Sequence, residues 1–238
     1  MEFVPSPSVD AAAPSLEGCT LVVACAAHAT TGQCAADLLI HTLRLRRVGI
    51  LLTPHLVPCC GNEAEGALTT ALEVWGGAGV AVVQQRSPAV AGSQTALASE
   101  LAAWAERAGV AKLVALAGVD PRAVSHVGAL AVGAAPFRCH ASPAWTTPLP
   151  SGWQPLETNT VGGVPLAASR TPPWPLVEAC KRRGVPAVAL LLFGSDSAAL
   201  ATECSALLPC GPTAAWQPPA SWAFARGGPT HEDAIAMY

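Results

Sequence analysis

The chain alternates between uninterrupted apolar runs and stretches in which apolar residues recur at helical spacing. Uninterrupted apolar runs are typical of strands that are buried on both faces. The strands predicted in this way are Thr20–Ala26, Val48–Thr53, Lys112–Ala117 and Val185–Phe193. The helical spacing predicts helices over Thr31–Leu45, Ser93–Ala108 and Trp174–Arg183, and a fourth capped by Ser195 or Asp196.

Strands that alternate with helices predict βαβ units, in which neighbouring strands run parallel and helices cover both faces of the sheet. The expected fold is therefore α/β, a three-layer α/β/α sandwich with a largely parallel central sheet. One hairpin is expected as well, with Thr69–Val74 and Gly79–Gln85 on either side of Gly76-Gly77-Ala78. Residues 1–238 are expected to form a single domain, with a loose segment at 1–17 and a Pro/Gly/Trp-rich tail at 209–238.

Composition and charge narrow the classes of partner. A net charge of −3 disfavours a general nucleic-acid binder, which needs a basic face to displace counterions. The most apolar run, Val185–Phe193, is far shorter than the roughly 20 residues that cross a bilayer, and no secretory signal is apparent, so no membrane partner is expected. The nine cysteines include no CxxC pair. We therefore expect reduced thiols, a cytoplasmic and nuclear protein, and neither a metal nor a cofactor.

Candidate catalytic residues are few. Cys25 and His28 follow the first strand, at the sheet edge where open α/β folds bind ligands, and Ser195 lies between a strand and a helix. These positions leave open an α/β hydrolase- or phosphorylase-like enzyme. The G-x-S-x-G pattern of a nucleophile elbow is absent around Ser195, and a buried strand cysteine or a helix cap explains the same residues.

Short motifs along nearly the whole chain occur in the order of a known family. They are Leu16-Glu17-Gly18-Cys19, Gly32-Gln33, Asp37-Leu38-Leu39-Ile40, Gly61-Asn62, Arg86-Ser87, Trp104, Pro136-Phe137-Arg138, Gly162-Gly163, Cys180 and Pro219-Ala220-Ser221-Trp222. In this order of motifs the chain resembles the proteasome assembly chaperone 2 family. The resemblance implies a non-catalytic chaperone with an α/β/α fold that forms a heterodimer with a proteasome assembly chaperone 1-like subunit. Such a pair binds proteasome α subunits, promotes α-ring assembly and prevents incorrect α-ring dimerisation.

Two sets of residues are candidates for partner binding. Trp216 and Trp222, flanked by prolines, are the first candidates for interface anchors, because buried aromatic side chains dominate interface energies. The resemblance also implies a C-terminal tripeptide of a hydrophobic residue, tyrosine and any residue, which docks between α subunits. Met237 and Tyr238 match its first two positions. We therefore expect Ile235, Met237 and Tyr238 to enter a pocket on a partner. A frayed chain end without a role is the alternative explanation of the same residues.

Overall fold

The computed structural model describes residues 1–6, 14–62, 68–120, 136–156, 160–161, 164–165, 172–213 and 215–222. The α-helices in these ranges are α1 (Thr31–Thr42), α2 (Gln94–Arg107), α3 (Pro173–Arg182) and α4 (Ser197–Ser205). The strands are β1 (Glu2–Pro5), β2 (Thr20–Ala24), β3 (Arg46–Leu52), β4 (Cys60–Asn62), β5 (Leu68–Thr70), β6 (Leu72–Gly77), β7 (Val80–Gln85), β8 (Lys112–Val119), β9 (Phe137–Ala141), β10 (Gln154–Pro155), β11 (Thr160–Val161), β12 (Val164–Pro165) and β13 (Ala187–Phe193). No helix in these ranges is long and apolar enough to span a membrane.

Nine strands form one sheet in the order β1-β3-β6-β7-β2-β8-β13-β9-β10. Its centre, β7-β2-β8-β13, is parallel, as βαβ connections require. The pairs on one side of that centre, β1-β3, β3-β6 and β6-β7, are antiparallel, as is β13-β9 on the other side. The predicted fold class is confirmed, and the parallel part of the sheet is its centre.

Both faces of the central strands are buried, which explains their uninterrupted apolar sequences. Leu21 and Val23 of β2 point into the core that α2 and α3 cover, whereas Val22 and Ala24 point into the core beneath α1 and α4. All seven residues of β13 are buried for the same reason. The two helical layers and the sheet between them form the three-layer sandwich.

The predicted hairpin forms, with its turn displaced along the chain. β6 and β7 pair antiparallel from Leu72 opposite Gln85 to Gly77 opposite Val80. Ala78 and Gly79 join them with φ angles of +51° and +74°, the positive values that a two-residue type I′ turn needs at both central positions.

Part of the N-terminal segment is an edge strand instead of a loose segment. β1 pairs antiparallel with β3, from Glu2 opposite Leu52 to Pro5 opposite Gly49. Phe3 packs against Trp104 of α2 with ring centroids 6.2 Å apart. Four residues that end in proline give a weak strand signal locally, and pairing with a partner far along the chain decides the outcome.

Residues 209–213 and 215–222, called here the C-terminal strap, cross the outside of α4 and α1. Thr213 N–H donates to Ser205 Oγ at 2.9 Å on α4, and Gln217 N–H donates to Thr42 Oγ1 at 2.9 Å on α1. The strap therefore runs from α4 across to α1, and it ends near the start of that helix at Trp222, where the cavity described below opens.

Candidate functional site

Polar side chains of α1 and of the chain after β7 meet at the carboxyl end of the parallel strands. Gln33 and Asp37 lie one helical turn apart on α1. Arg86 donates to both carboxylate oxygens of Asp37, from Nη1 to Oδ2 and from Nη2 to Oδ1, each at 2.9 Å. Gln84, which is fully buried, donates from Nε2 to Asp37 Oδ1 at 2.7 Å and to the backbone carbonyl of Gln33 at 2.8 Å. The bidentate geometry orients the Arg86 guanidinium firmly.

A second carboxylate continues this network beneath the β4–β5 hairpin. Glu73 of β6 is fully buried, and its Oε1 lies 3.3 Å from Arg47 Nη1 and accepts the Thr70 N–H at 3.3 Å. Its Oε2 lies 3.7 Å from Arg86 Nε. Arg47 Nη1 also donates to the backbone carbonyl of Leu68, which ties β5 to β3. Two arginines and two carboxylates thus neutralise one another, as burial of charge requires.

A cavity of about 240 Å³ opens over this network, and we call it the Asp37 pocket. Its lining includes Thr30 and residues of the first half of α1, together with Asn62 and Thr69 of the β4–β5 hairpin. The C-terminal strap closes a third side with Pro219 and Trp222. The pocket therefore combines an aromatic surface with polar side chains above a neutral ion-pair network.

Two buried amide oxygens at this site accept no hydrogen bond within the described ranges. One is Gln84 Oε1, next to the Asp37 carboxylate, and the other is Oε1 of Gln33, a residue that lines the pocket. An unpaired buried acceptor costs free energy, roughly 1–3 kcal/mol. These two unpaired oxygens therefore lower the stability of the fold.

The Asp37 pocket also joins residues that are far apart in sequence. Gln33 and Asp37, Asn62, Arg86 and Trp222 each belong to a different one of the short motifs on which the family resemblance rests. The motifs themselves were found from the sequence, but their convergence was not. Gln33, Asp37 and His41 recur every four residues, and this spacing places them in one polar stripe on this face of α1.

The three candidate catalytic residues are not arranged as a catalytic group. Cys25 is buried on the α2/α3 side of the sheet, and burial raises the pKa of its thiol to about 12, so the thiolate needed for attack is disfavoured. A cavity of about 140 Å³ beside Cys25 is lined by neither His28 nor Ser195, which are both exposed. Thr31 Oγ1 lies 3.1 Å from the backbone oxygen of His28 and 3.3 Å from that of Gly194, so the threonine side chain links these two loops.

The residues around Ser195 are better explained as a helix cap. Asp196 Oδ1 accepts the Ala199 N–H at 2.9 Å and caps α4, as one of the two sequence alternatives predicted. Among the residues that the structure describes, no group of three or more His, Cys, Asp or Glu side chains is arranged to hold a metal ion.

The candidate partner-binding tryptophans both lie on the C-terminal strap and are half-buried. Trp216 donates from Nε1 to Thr202 Oγ1 at 3.0 Å and packs on the α4 side of the core. Trp222 packs on the same core and lines the Asp37 pocket. Ile235, Met237 and Tyr238 lie outside the described residues, so the role of all five in partner binding stays a prediction.

Solved structures that share this fold include two proteins of Pyrococcus furiosus. PbaA of Pyrococcus furiosus, described as an archaeal homologue of proteasome-assembly chaperone, shares 17% identity and a TM-score of 0.56, with 80% of this chain and 76% of that chain covered. PbaB of the same organism, described as an archaeal proteasome activator, shares 12% identity and a TM-score of 0.57, with 87% and 88% covered. At such identities the likeness establishes the fold.

The sequence relatives are proteins named proteasome assembly chaperone 2. Proteasome assembly chaperone 2 of Bos taurus is 30% identical over 151 residues, which are 60% of this chain and 55% of that protein. Proteasome assembly chaperone 2 of Danio rerio is 32% identical over 114 residues, 44% of each chain. The chain thus spans about half the length of the curated relatives that it matches. The sequence model of the PAC2 family matches residues 21–197, well over half of the chain. The chain therefore belongs to the PAC2 family.

Proposed function

We propose that this protein is a non-catalytic proteasome assembly chaperone. It pairs with a proteasome assembly chaperone 1-like subunit, binds proteasome α subunits, promotes α-ring assembly and prevents incorrect α-ring dimerisation. The observation that carries the proposal is the PAC2 family match over residues 21–197, together with sequence relatives that are themselves named proteasome assembly chaperone 2.

The geometry of the candidate catalytic residues supports a non-catalytic role. Nucleophilic catalysis needs an activated nucleophile within hydrogen-bond reach of a base. Cys25 is instead a buried thiol whose pKa is raised to about 12, and its cavity does not include the exposed His28. All nine cysteines lie in the described ranges and are free thiols, which supports a cytoplasmic and nuclear location.

Affinity purification of the tagged chain from its own cells, followed by mass spectrometry, tests the proposal. We expect recovery of a related chaperone subunit and α subunits, with few mature β subunits. The Cys25→Ala and Ser195→Ala variants should recover the same set. Failure of a folded bait to recover either class of partner would overturn the assembly role, and loss of a specific enzymatic activity in a folded Cys25→Ala variant would overturn the non-catalytic assignment.

The C-terminal residues provide a separate test. Deletion of Met237 and Tyr238 should weaken association with assembled α rings and leave the chaperone heterodimer intact, because the deleted side chains are proposed to dock between α subunits. Binding of the purified heterodimer to α rings can be measured by native gel shift. Unchanged binding would show that the tail plays no part in docking.

A further inference from the structure

The Asp37 pocket has the size of a site for one side chain. Its volume of about 240 Å³ lies below the roughly 300–1,000 Å³ of pockets that enclose drug-sized ligands or cofactors. The energetically dominant residues of protein interfaces fill pockets of this kind, and tyrosine, tryptophan and arginine are the commonest among them. The size therefore favours an anchor residue of a partner protein over a free cofactor.

The charges around the pocket disfavour an ionised occupant. The Asp37 carboxylate is already paired bidentately with Arg86, and Glu73 lies between Arg86 and Arg47. A lysine or arginine that entered here would meet Arg86 without a carboxylate left to neutralise it. An aspartate or glutamate would meet Asp37 instead. An uncharged occupant pays neither penalty.

The lining favours a ring that carries a hydroxyl group. Trp222 and Pro219 form an apolar wall on which an aromatic ring can stack. Asn62 and Thr69 line the same pocket and provide hydrogen-bonding groups. Gln33 lines the pocket as well, and its buried Oε1 accepts no hydrogen bond within the described ranges.

The surface next to the pocket favours a partner protein. Leu68 is 56% exposed and pairs with Asn62 in the β4–β5 hairpin, so it stands at the edge of the pocket. Leu52 is 49% exposed and lines a second cavity of about 210 Å³. Cys59 lines both this cavity and the Asp37 pocket, so the two adjoin each other. Exposed large apolar side chains that are grouped beside a pocket mark surfaces that bind other proteins.

We propose that the Asp37 pocket is a partner-binding site that receives a tyrosine side chain, with the exposed leucines beside it contacting aliphatic residues of the same partner. This inference rests on the proposed function, since it names the surface through which the chaperone would engage a protein partner. It differs from the expected docking of the C-terminal tail, in which this chain supplies the inserted residues.

The chemistry of the pocket can be tested on the purified chain with capped amino acids. N-acetyl-tyrosinamide should bind with a dissociation constant of about 1 mM and shift the indole N–H signal of Trp222 in a ¹⁵N-¹H NMR titration. The phenylalanine, arginine and glutamate amides should bind at least about fivefold more weakly, because they lack the hydroxyl group or carry a charge. Equal or tighter binding of the arginine or glutamate amide, or no saturable shift with the tyrosine amide, would overturn the assignment.

Two tryptophans of the C-terminal strap provide a matched pair of variants. Trp222→Ala should abolish binding of N-acetyl-tyrosinamide, and Trp216→Ala, which changes a half-buried tryptophan away from the pocket, should leave it unchanged. Should Trp222→Ala fail to fold, Trp222→Phe keeps an aromatic wall and should retain binding, whereas Trp222→Leu should weaken it. Equal effects of changes at both tryptophans would overturn the assignment.

The labelling rates of the exposed cysteines test whether a partner covers the pocket in the assembled complex. Cys59 and Cys60 line the pocket, whereas Cys210, the third exposed cysteine, is next to Pro209, which lies beside Gly79 at the amino end of β7. In the chaperone complex purified from cells, iodoacetamide should label Cys59 and Cys60 at least about threefold more slowly than in the isolated chain, with Cys210 unchanged. If the complex forms and the labelling of Cys59 and Cys60 is unchanged, the pocket proposal fails while the assembly role stands. If no complex forms, the assembly role fails, and the titration still decides the pocket chemistry.

Discussion

Replacement of Arg86 by methionine tests the energetic role of the ion-pair network. The substitution keeps most of the side-chain volume but leaves the Asp37 carboxylate, which is 7% exposed, without its bidentate partner. Gln84 Nε2 would remain as a hydrogen-bond donor to that carboxylate at 2.7 Å. Removal of one member of a buried ion pair costs about 3–5 kcal/mol, because the other charge is left buried.

The expected magnitude lies at the lower end of that range. The Arg86 side chain is 27% exposed, so water can reach part of the site and stabilise Asp37 after the change. We expect Arg86→Met to lower the free energy of unfolding by about 3 kcal/mol, equivalent to a drop of roughly 6–12 °C in Tm for a chain of this size. Arg183→Met is the matched control, because Arg183 Nη1 lies 2.7 Å from Glu106 Oε2 with both side chains exposed. An exposed pair contributes only about 0.5 kcal/mol.

Urea unfolding of the purified chain, followed by circular dichroism, measures both variants on one scale. The difference in midpoint multiplied by the slope m yields the change in the free energy of unfolding. The double variant Asp37→Asn/Arg86→Met should lose less stability than the two single changes added together, because the two side chains interact directly. The reasoning is refuted if Arg86→Met costs no more than Arg183→Met, or if the double variant is additive.

Three further predictions concern thiols, a helix glycine and a histidine. Iodoacetamide at neutral pH should modify the exposed Cys59 long before Cys25, whose pKa is raised to about 12 by burial, as peptide mapping would show; early labelling of Cys25 in the folded chain would contradict its burial. Alanine usually stabilises a helix by about 1 kcal/mol relative to glycine. Gly32→Ala should nevertheless destabilise the protein in urea unfolding, because a Cβ at this position would lie 2.5 Å from the backbone oxygen of Leu116. A gain in stability would refute that close approach. Burial lowers the pKa of His140 in the folded state, so the unfolded chain binds the proton more readily, and the free energy of unfolding should fall as the pH is lowered from about 7 to about 5. His140→Gln should flatten that pH dependence. An unchanged slope would show that His140 is not its source.

Most elements of the fold could be predicted from local patterns. The strand Ala187–Phe193 and the helix Gln94–Arg107 lie within the ranges that apolar runs and helical spacing indicated, and Asp196 caps its helix as expected. Burial on both faces selects an uninterrupted apolar run, and burial on one face selects the helical period, so these signals are carried by neighbouring residues. Prediction failed at β1 (Glu2–Pro5), whose pairing partner Leu52 lies far along the chain.

The candidate site could be predicted only in pieces. Asp37, Asn62 and Arg86 were visible only as members of ordered motifs. Nothing in their spacing indicated that Arg86 would hold both oxygens of Asp37, or that Trp222 would close the same pocket. Those contacts depend on where α1, the β4–β5 hairpin and the C-terminal strap lie relative to one another.

The sequence by itself determined the class of elements, the burial of the central strands, the helix cap at Asp196 and the order of motifs that identifies the family. The tertiary structure decided the strand order, the edge strand β1 and the assembly of the Asp37 pocket. The physical reason is separation along the sequence. Hydrophobic period and capping depend on residues a few positions apart. Strand pairing and the pocket instead join residues as far apart in sequence as Gln33 and Trp222. Only packing of the sheet against α1 and the C-terminal strap brings those positions together.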